Sequence, residues 1–199
     1  MKKINSMILA ALILLTGTVG ACSKTEETKK RKKVEKKEEV KETQDKDEKD
    51  TEENNGGDFQ PDILFTITDR DGNTITESVF AENELTIINF WEPWCGPCVG
   101  EMPELEKIYE DYKSKGVELI GVYSTDGMEE DVKAVLADAG ITYPICMYVD
   151  AFAPYQSGYV PTTIFVDKNG HVITMADGEK YIVGSNDYDS WAALIENYL

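Results

Sequence analysis

The stretch FWEPWCGPCVGEMPE, Phe90 to Glu104, decides how this chain is read. Two cysteines, Cys95 and Cys98, stand three positions apart, directly after a tryptophan and ahead of a helix-like run. At the start of a helix, that spacing puts both sulfurs on one side of the first turn. Unpaired N–H groups and the helix dipole there favour a thiolate, and only a thiolate attacks a disulfide. Cys95 is therefore the expected nucleophile, with Cys98 lying deeper to resolve the mixed disulfide. Gly96 and Pro97 close the turn between them, and a proline is tolerated where an N–H has no helical partner. A structural zinc site would need more ligands than a single histidine, His171, and no second pair of this spacing can supply. A disulfide that only staples a loop is the remaining alternative, and three-residue spacing beside Trp94 argues against it.

Working outward, alternation of period two and helical repeats of apolar residues divide the flanking chain into elements. Asp62 to Thr76 alternates and carries Asp71-Gly72-Asn73, a hairpin signal. LTIINF, Leu85 to Phe90, is short, apolar and β-branched, so it reads as a buried strand. After the cysteines, Leu105, Ile108, Tyr109 and Tyr112 share one helical face, and Gly116 ends that helix. VELIGVY, Val117 to Tyr123, is a second strand. Glu129 to Ala139 is a second helix closed by Gly140. TTIFV, Thr162 to Val166, is a strand, and Asn169-Gly170 turns it into an expected partner, His171 to Met175. A last helix carries Trp191, Leu194, Ile195 and Tyr198, with Asp187 or Asp189 as cap. The order implies an α/β domain, a central mixed sheet flanked by helices.

These elements, with FWEPWCGPC, the following EMP, and YVPTTIFVD from Tyr159 to Asp167, resemble the thioredoxin superfamily. Within it they are similar to the membrane-tethered TlpA/ResA-type thiol–disulfide oxidoreductases. That resemblance implies a thioredoxin-like fold with an N-terminal β-hairpin extension. It implies that Trp94 lines the exposed sulfur and the docking surface, and that Pro161 is cis and faces the cysteines. The backbone of Val160 can then pair with an extended substrate segment. Cytosolic thioredoxins carry a buried Asp where this chain has Asn89; the resembled branch uses instead a Glu three residues after the second cysteine. Glu101 matches, and a carboxyl buried there is expected to titrate near neutrality and shuttle a proton. Pro103 is expected to kink the helix. Glu92, a carboxylate close to Cys95, is expected to disfavour the thiolate. Cys146 reads as a buried free thiol, Trp91 as core, and His171 as exposed and idle.

The N-terminus has another character. Lys2 and Lys3 precede an apolar run, MILAALILL from Met7 to Leu15, and VGAC ends at Cys22. This order is expected of a lipoprotein signal over residues 1–21, with Cys22 lipidated; two acyl chains would anchor firmly. Residues 22–58 hold the lipidated cysteine and a charged tether whose only apolar residues beyond it are Val34 and Val40. Such a segment cannot bury enough apolar surface to order itself. Residues 59–199 form one domain carrying 7 Lys or Arg against 25 Asp or Glu, so the whole net charge of −18 sits there. Nucleic acid needs a basic footprint, which this domain lacks.

The expected function is a lipid-anchored disulfide reductase on the outer face of the bacterial cytoplasmic membrane. It would need no cofactor beyond its own dithiol. The resemblance implies a CcdA- or DsbD-type membrane electron donor and exported thiol or disulfide proteins as clients, apocytochrome c and oxidised methionine sulfoxide reductase among them. A monomer is expected. The alternatives are a thiol oxidase running the same chemistry in the opposite direction, and a non-catalytic binding module. A thiol peroxidase normally carries Thr or Ser three residues before its cysteine, where this chain has Glu92.

Overall fold

The computed structural model describes residues 59–199. The signal, Cys22 and the whole of the expected tether lie outside the described residues.

Strand β3 (Leu85–Phe90) is the centre of the molecule, and every one of its residues is buried. Its β-branched, wholly apolar character apart from Thr86 and Asn89 suits a strand covered on both faces. It pairs in parallel with β4 (Val117–Tyr123) and antiparallel with β6 (Thr162–Asp167). A short β5 (Ile145–Met147) extends the sheet beyond β4, and β7 (Ile182–Val183) closes the other edge, giving the order β5-β4-β3-β6-β7. A separate hairpin, β1 (Thr66–Thr68) with β2 (Thr74–Thr76), precedes them, followed by α1 (Ser78–Glu82). Helix α2 (Gly96–Tyr112) runs through Pro103, and a 3₁₀ turn carries it to Gly116, whose φ of 87° suits a residue without a Cβ. Helices α3 (Glu129–Ala139) and α4 (Tyr188–Ile195) complete the α/β arrangement, with Asp187 capping α4 through the Ser190 N–H.

The sheet separates two cores. On one face Leu105 and Ile108 of α2 and Trp191 and Ile195 of α4 pack with Leu85, Ile87, Leu119 and Phe165. On the other, Ile63, Phe65 and Ile67 of the hairpin segment join Phe80, Ile88, Phe152 and Ile164. The alternation read in Asp62 to Thr76 is thus real: Leu64 is exposed while Ile63 and Phe65 are buried. Burying each such side chain contributes at most about 1.5–3 kcal/mol.

Two expectations need correction. His171 to Met175 is not a strand: only Val172 bridges to Val166, with Ile173 N–H bonded to the Phe165 carbonyl. The chain then turns away, because the Met175 N–H bonds to Glu179 O and the Gly178 N–H to Met175 O. Ile182–Val183 takes the edge instead. His171 is exposed but not idle, since its Nδ1 stands 3.2 Å from Asp62 Oδ1. Cys146, free and buried as expected, lies on β5, a strand that the sequence reading did not place.

Candidate active site

Register builds the site. Phe90 at the end of β3 faces Val122 of β4 on one side and Thr162 of β6 on the other. The residues after Phe90 therefore meet those after Val122 and those before Thr162. Three loops, far apart in sequence, converge at one end of the sheet.

Cys95 is the N-cap of α2, with extended backbone (φ −87°, ψ 102°), and its sulfur accepts the Cys98 N–H at 3.2 Å. Cys95 and Cys98 form a disulfide, their Cα atoms 5.3 Å apart. Once reduced, Cys95 would keep that N–H and the helix N-terminus as stabilisers of its thiolate. Cys95 is 5% exposed and Cys98 2%, while Gly96 and Pro97 lie in the open. The Val160–Pro161 bond is cis, and Cys95 Sγ sits 3.6 Å from the Val160 carbonyl oxygen. The chain segment expected to meet a substrate strand thus touches the sulfur expected to attack.

Glu101 lies one turn beyond Cys98 on the buried side of α2 and is 2% exposed. Neither carboxylate oxygen has a hydrogen-bond partner. Burial pushes its pKa from the ordinary 4.5 up to about 8, with only the Trp191 indole pulling weakly downward. That indole Nε1 is itself without a partner of hydrogen-bonding geometry, so its pull is no more than a nearby dipole's. A carboxyl held neutral near physiological pH, one helical turn from Cys98, can give and take a proton once that cysteine is reduced. Trp191, 90 positions away in the chain, is a neighbour that no local signal could have disclosed.

Asn89, also 2% exposed, donates from Nδ2 to Thr163 Oγ1 at 2.9 Å, so the uncharged amide ties β3 to β6 beneath the site. Trp91 is core, 1% exposed and stacked obliquely on Tyr123. Trp94 is 62% exposed, and its indole N–H donates to Thr125 Oγ1 at 3.0 Å. Glu92 is held by partners of its own. Its side chain is 5% exposed and accepts the backbone N–H groups of Ser124 (2.9 Å) and Thr125 (3.1 Å) together with both of their hydroxyls. Four neutral donors thus hold the Glu92 carboxylate in place without cancelling the charge expected to bear on Cys95. Cys146 lies apart, its thiol pushed up to about 12 by burial and by Asp69, and contributes no thiolate near neutral pH. Among the described residues, no group of three or more His, Cys, Asp or Glu is placed to hold a metal ion.

The family model described as the AhpC/TSA family matches residues 57–175. The chain belongs to the AhpC/TSA family. Within it, this AhpC/TSA protein has the fold and cysteine pair of the thioredoxin-like thiol–disulfide oxidoreductases. It is 33% identical over 125 residues to the thiol–disulfide oxidoreductase ResA of Oceanobacillus iheyensis, covering 61% of this chain and 65% of that protein. A ResA of Geobacillus kaustophilus is 33% identical over 124 residues, covering 61% of this chain and 69% of that one. The matched stretch therefore spans about two thirds of these relatives. A crystal structure of a thiol:disulfide interchange protein of the thioredoxin family from Chlorobium tepidum superposes with a TM-score of 0.59 at 25% identity, covering 69% of this chain and 94% of that one. StoA from Bacillus subtilis shares the fold, with a TM-score of 0.54 at 21% identity over 66% of this chain and 96% of that one.

Proposed function

We propose that this AhpC/TSA family member is a protein-disulfide reductase, tethered by a lipidated Cys22 to the outer face of the bacterial cytoplasmic membrane. The observation that carries the reading is the Cys95–Cys98 disulfide at the N-terminus of α2, with Cys95 against Val160 and Glu101 buried one turn below. The reduced Cys95 thiolate attacks one sulfur of a client disulfide. A mixed disulfide forms, and the client's first sulfur leaves as a thiolate and takes a proton. Cys98 then attacks Cys95 Sγ and expels the client's second sulfur as a thiolate, its own proton passing to Glu101 in the ionised fraction that a pKa of about 8 leaves available. Two electrons have moved to the client, and the Cys95–Cys98 bond is restored. A membrane dithiol donor of the CcdA or DsbD type would reduce it again, with Glu101 returning the proton to Cys98.

Direction rests on the couple's potential. The Gly-Pro dipeptide is shared with reducing thioredoxins, near about −270 mV, against about −120 mV for the strong oxidant DsbA. Exported thiol proteins are the client class, apocytochrome c and oxidised methionine sulfoxide reductases being the types that the TlpA/ResA-type resemblance implies. The deciding experiment equilibrates the protein with glutathione and dithiothreitol buffers and quantifies the Cys95–Cys98 bond. A value near thioredoxin's supports the reductase. A value near DsbA's would make the protein an oxidase that introduces disulfides. Insulin reduction by dithiothreitol proceeding at equal rates with the unaltered protein and with Cys95→Ser would leave a binding module.

A further inference from the structure

We propose that Glu92 and Thr125 act together as a positioning clamp for Trp94, and so set how well this protein accepts polypeptide disulfides. The inference rests on the thiol–disulfide exchange reading and adds a determinant of substrate size to it.

The argument follows proton directions. A carboxylate only accepts, and an indole N–H only donates. Glu92 Oε2 takes both the backbone N–H of Thr125 and its hydroxyl. The single hydroxyl proton of Thr125 is thereby committed to Glu92, which leaves Thr125 Oγ1 as an acceptor. That acceptor is filled by the Trp94 indole N–H at 3.0 Å. The chain of bonds runs one way, from Trp94 through Thr125 to Glu92. A second set of bonds holds the anchor still. Glu92 Oε1 takes the Ser124 N–H and hydroxyl, and the Glu92 backbone carbonyl takes the Cys95 N–H at 3.0 Å. Glu92, which anchors Thr125 on Trp94, therefore also holds the turn that delivers Cys95.

Exposure makes the clamp meaningful. Trp94 is 62% exposed, and its indole N–H is held by this bond. Trp91, by contrast, is locked by the core. A large flat ring held at one orientation beside the attacking sulfur offers a polypeptide a preformed surface, which lowers the ordering cost of docking. A small disulfide needs no such surface. The clamp should therefore act on polypeptide substrates more than on small ones.

The test uses the full chain and two readouts. In the first, ¹⁵N spectra follow hydrogen exchange at the Trp94 indole N–H, identified by its loss in Trp94→Phe. In the second, dithiothreitol-coupled reduction is measured for insulin and for 2-hydroxyethyl disulfide. Loss of one hydrogen bond corresponds to roughly a threefold to tenfold change. Thr125→Val is expected to speed Trp94 indole exchange by that factor. It should also lower kcat/KM for insulin by about that factor more than for 2-hydroxyethyl disulfide. Thr125→Ser, which keeps the hydroxyl, should restore both, and in a Trp94→Phe background Thr125→Val should have no further selective effect. Unchanged indole exchange in Thr125→Val overturns the clamp. So does a loss that is equal for the two substrates, or one that persists undiminished without the Trp94 N–H. If the unaltered protein reduces neither substrate while indole exchange responds as expected, the exchange reading fails and the clamp geometry stands apart from it.

Discussion

Glu101 concentrates the electrostatics of this protein in one side chain. Its folded pKa of about 8 lies above the ordinary 4.5 because burial disfavours the charge. Between those two values the folded protein holds a proton that the unfolded chain has released. Stability contributed by this group is therefore complete below about pH 4.5 and falls by about 1.4 kcal/mol per pH unit until about pH 8. Glu101→Gln has no proton to lose, so most of this decline between pH 5 and pH 8 is expected to vanish. Urea unfolding of the oxidised protein at several pH values measures it; an unchanged slope would place the titration elsewhere. Glu101 could be picked out in the sequence by its place three residues after Cys98. Its isolation from any donor, and the presence of Trp191, could not, because burial belongs to the packing of α2 against α4 and not to the motif.

Elements were legible where their pattern was local. β3, α2, β4, α3 and α4 fall close to where apolar periodicity and glycine stops put them, and of the two caps expected for α4, Asp187 is the one used. The misread segment, His171 to Met175, alternates like a strand, but the N–H of its last residue, Met175, is taken by Glu179 O in the turn around Gly178. β5 was missed because three residues carry too little period, and its place is fixed by pairing with Gly121 to Tyr123. The turn at Gly170 has a second duty. Its carbonyl accepts the Asp62 N–H at 2.8 Å, and Asp62 Oδ2 accepts the Val172 N–H at 2.9 Å, so the start of the domain is fastened there. Gly170 has φ of 80°, and a Cβ would stand 2.3 Å from Pro61 Cβ and 2.7 Å from its Cα. Gly170→Ala should therefore destabilise by more than about 1 kcal/mol. A urea midpoint equal to that of the unaltered protein would show that the Pro61 segment yields freely.

At the scale of the whole molecule, the charge is divided. The 58 residues before Phe59 hold as many basic as acidic groups, and the entire −18 belongs to the residues that follow. An acidic domain is repelled by anionic lipid, so the proposed membrane attachment rests on Cys22 and not on the domain's surface. Among the described residues no helix is long and apolar enough to cross a membrane. Cys22→Ala is expected to move the protein from the membrane pellet to the soluble fraction of lysed cells. Continued sedimentation with membranes would overturn the lipid anchor.

The sequence by itself determined the chemistry: a cysteine pair three positions apart at a helix start, a glutamate one turn on, and a proline ahead of a strand. These are local, because spacing along one chain decides which side of a helix turn a sulfur or a carboxyl takes. Only the tertiary structure decided what surrounds them. The register of β3 against β4 and β6 sets Ser124 and Thr125 on Glu92, and Val160 on Cys95, across separations of 32 to 65 residues. Glu92, read from the sequence as a charge beside the nucleophile, is also tied to Ser124 and Thr125, because sheet register, and not sequence distance, chose those partners.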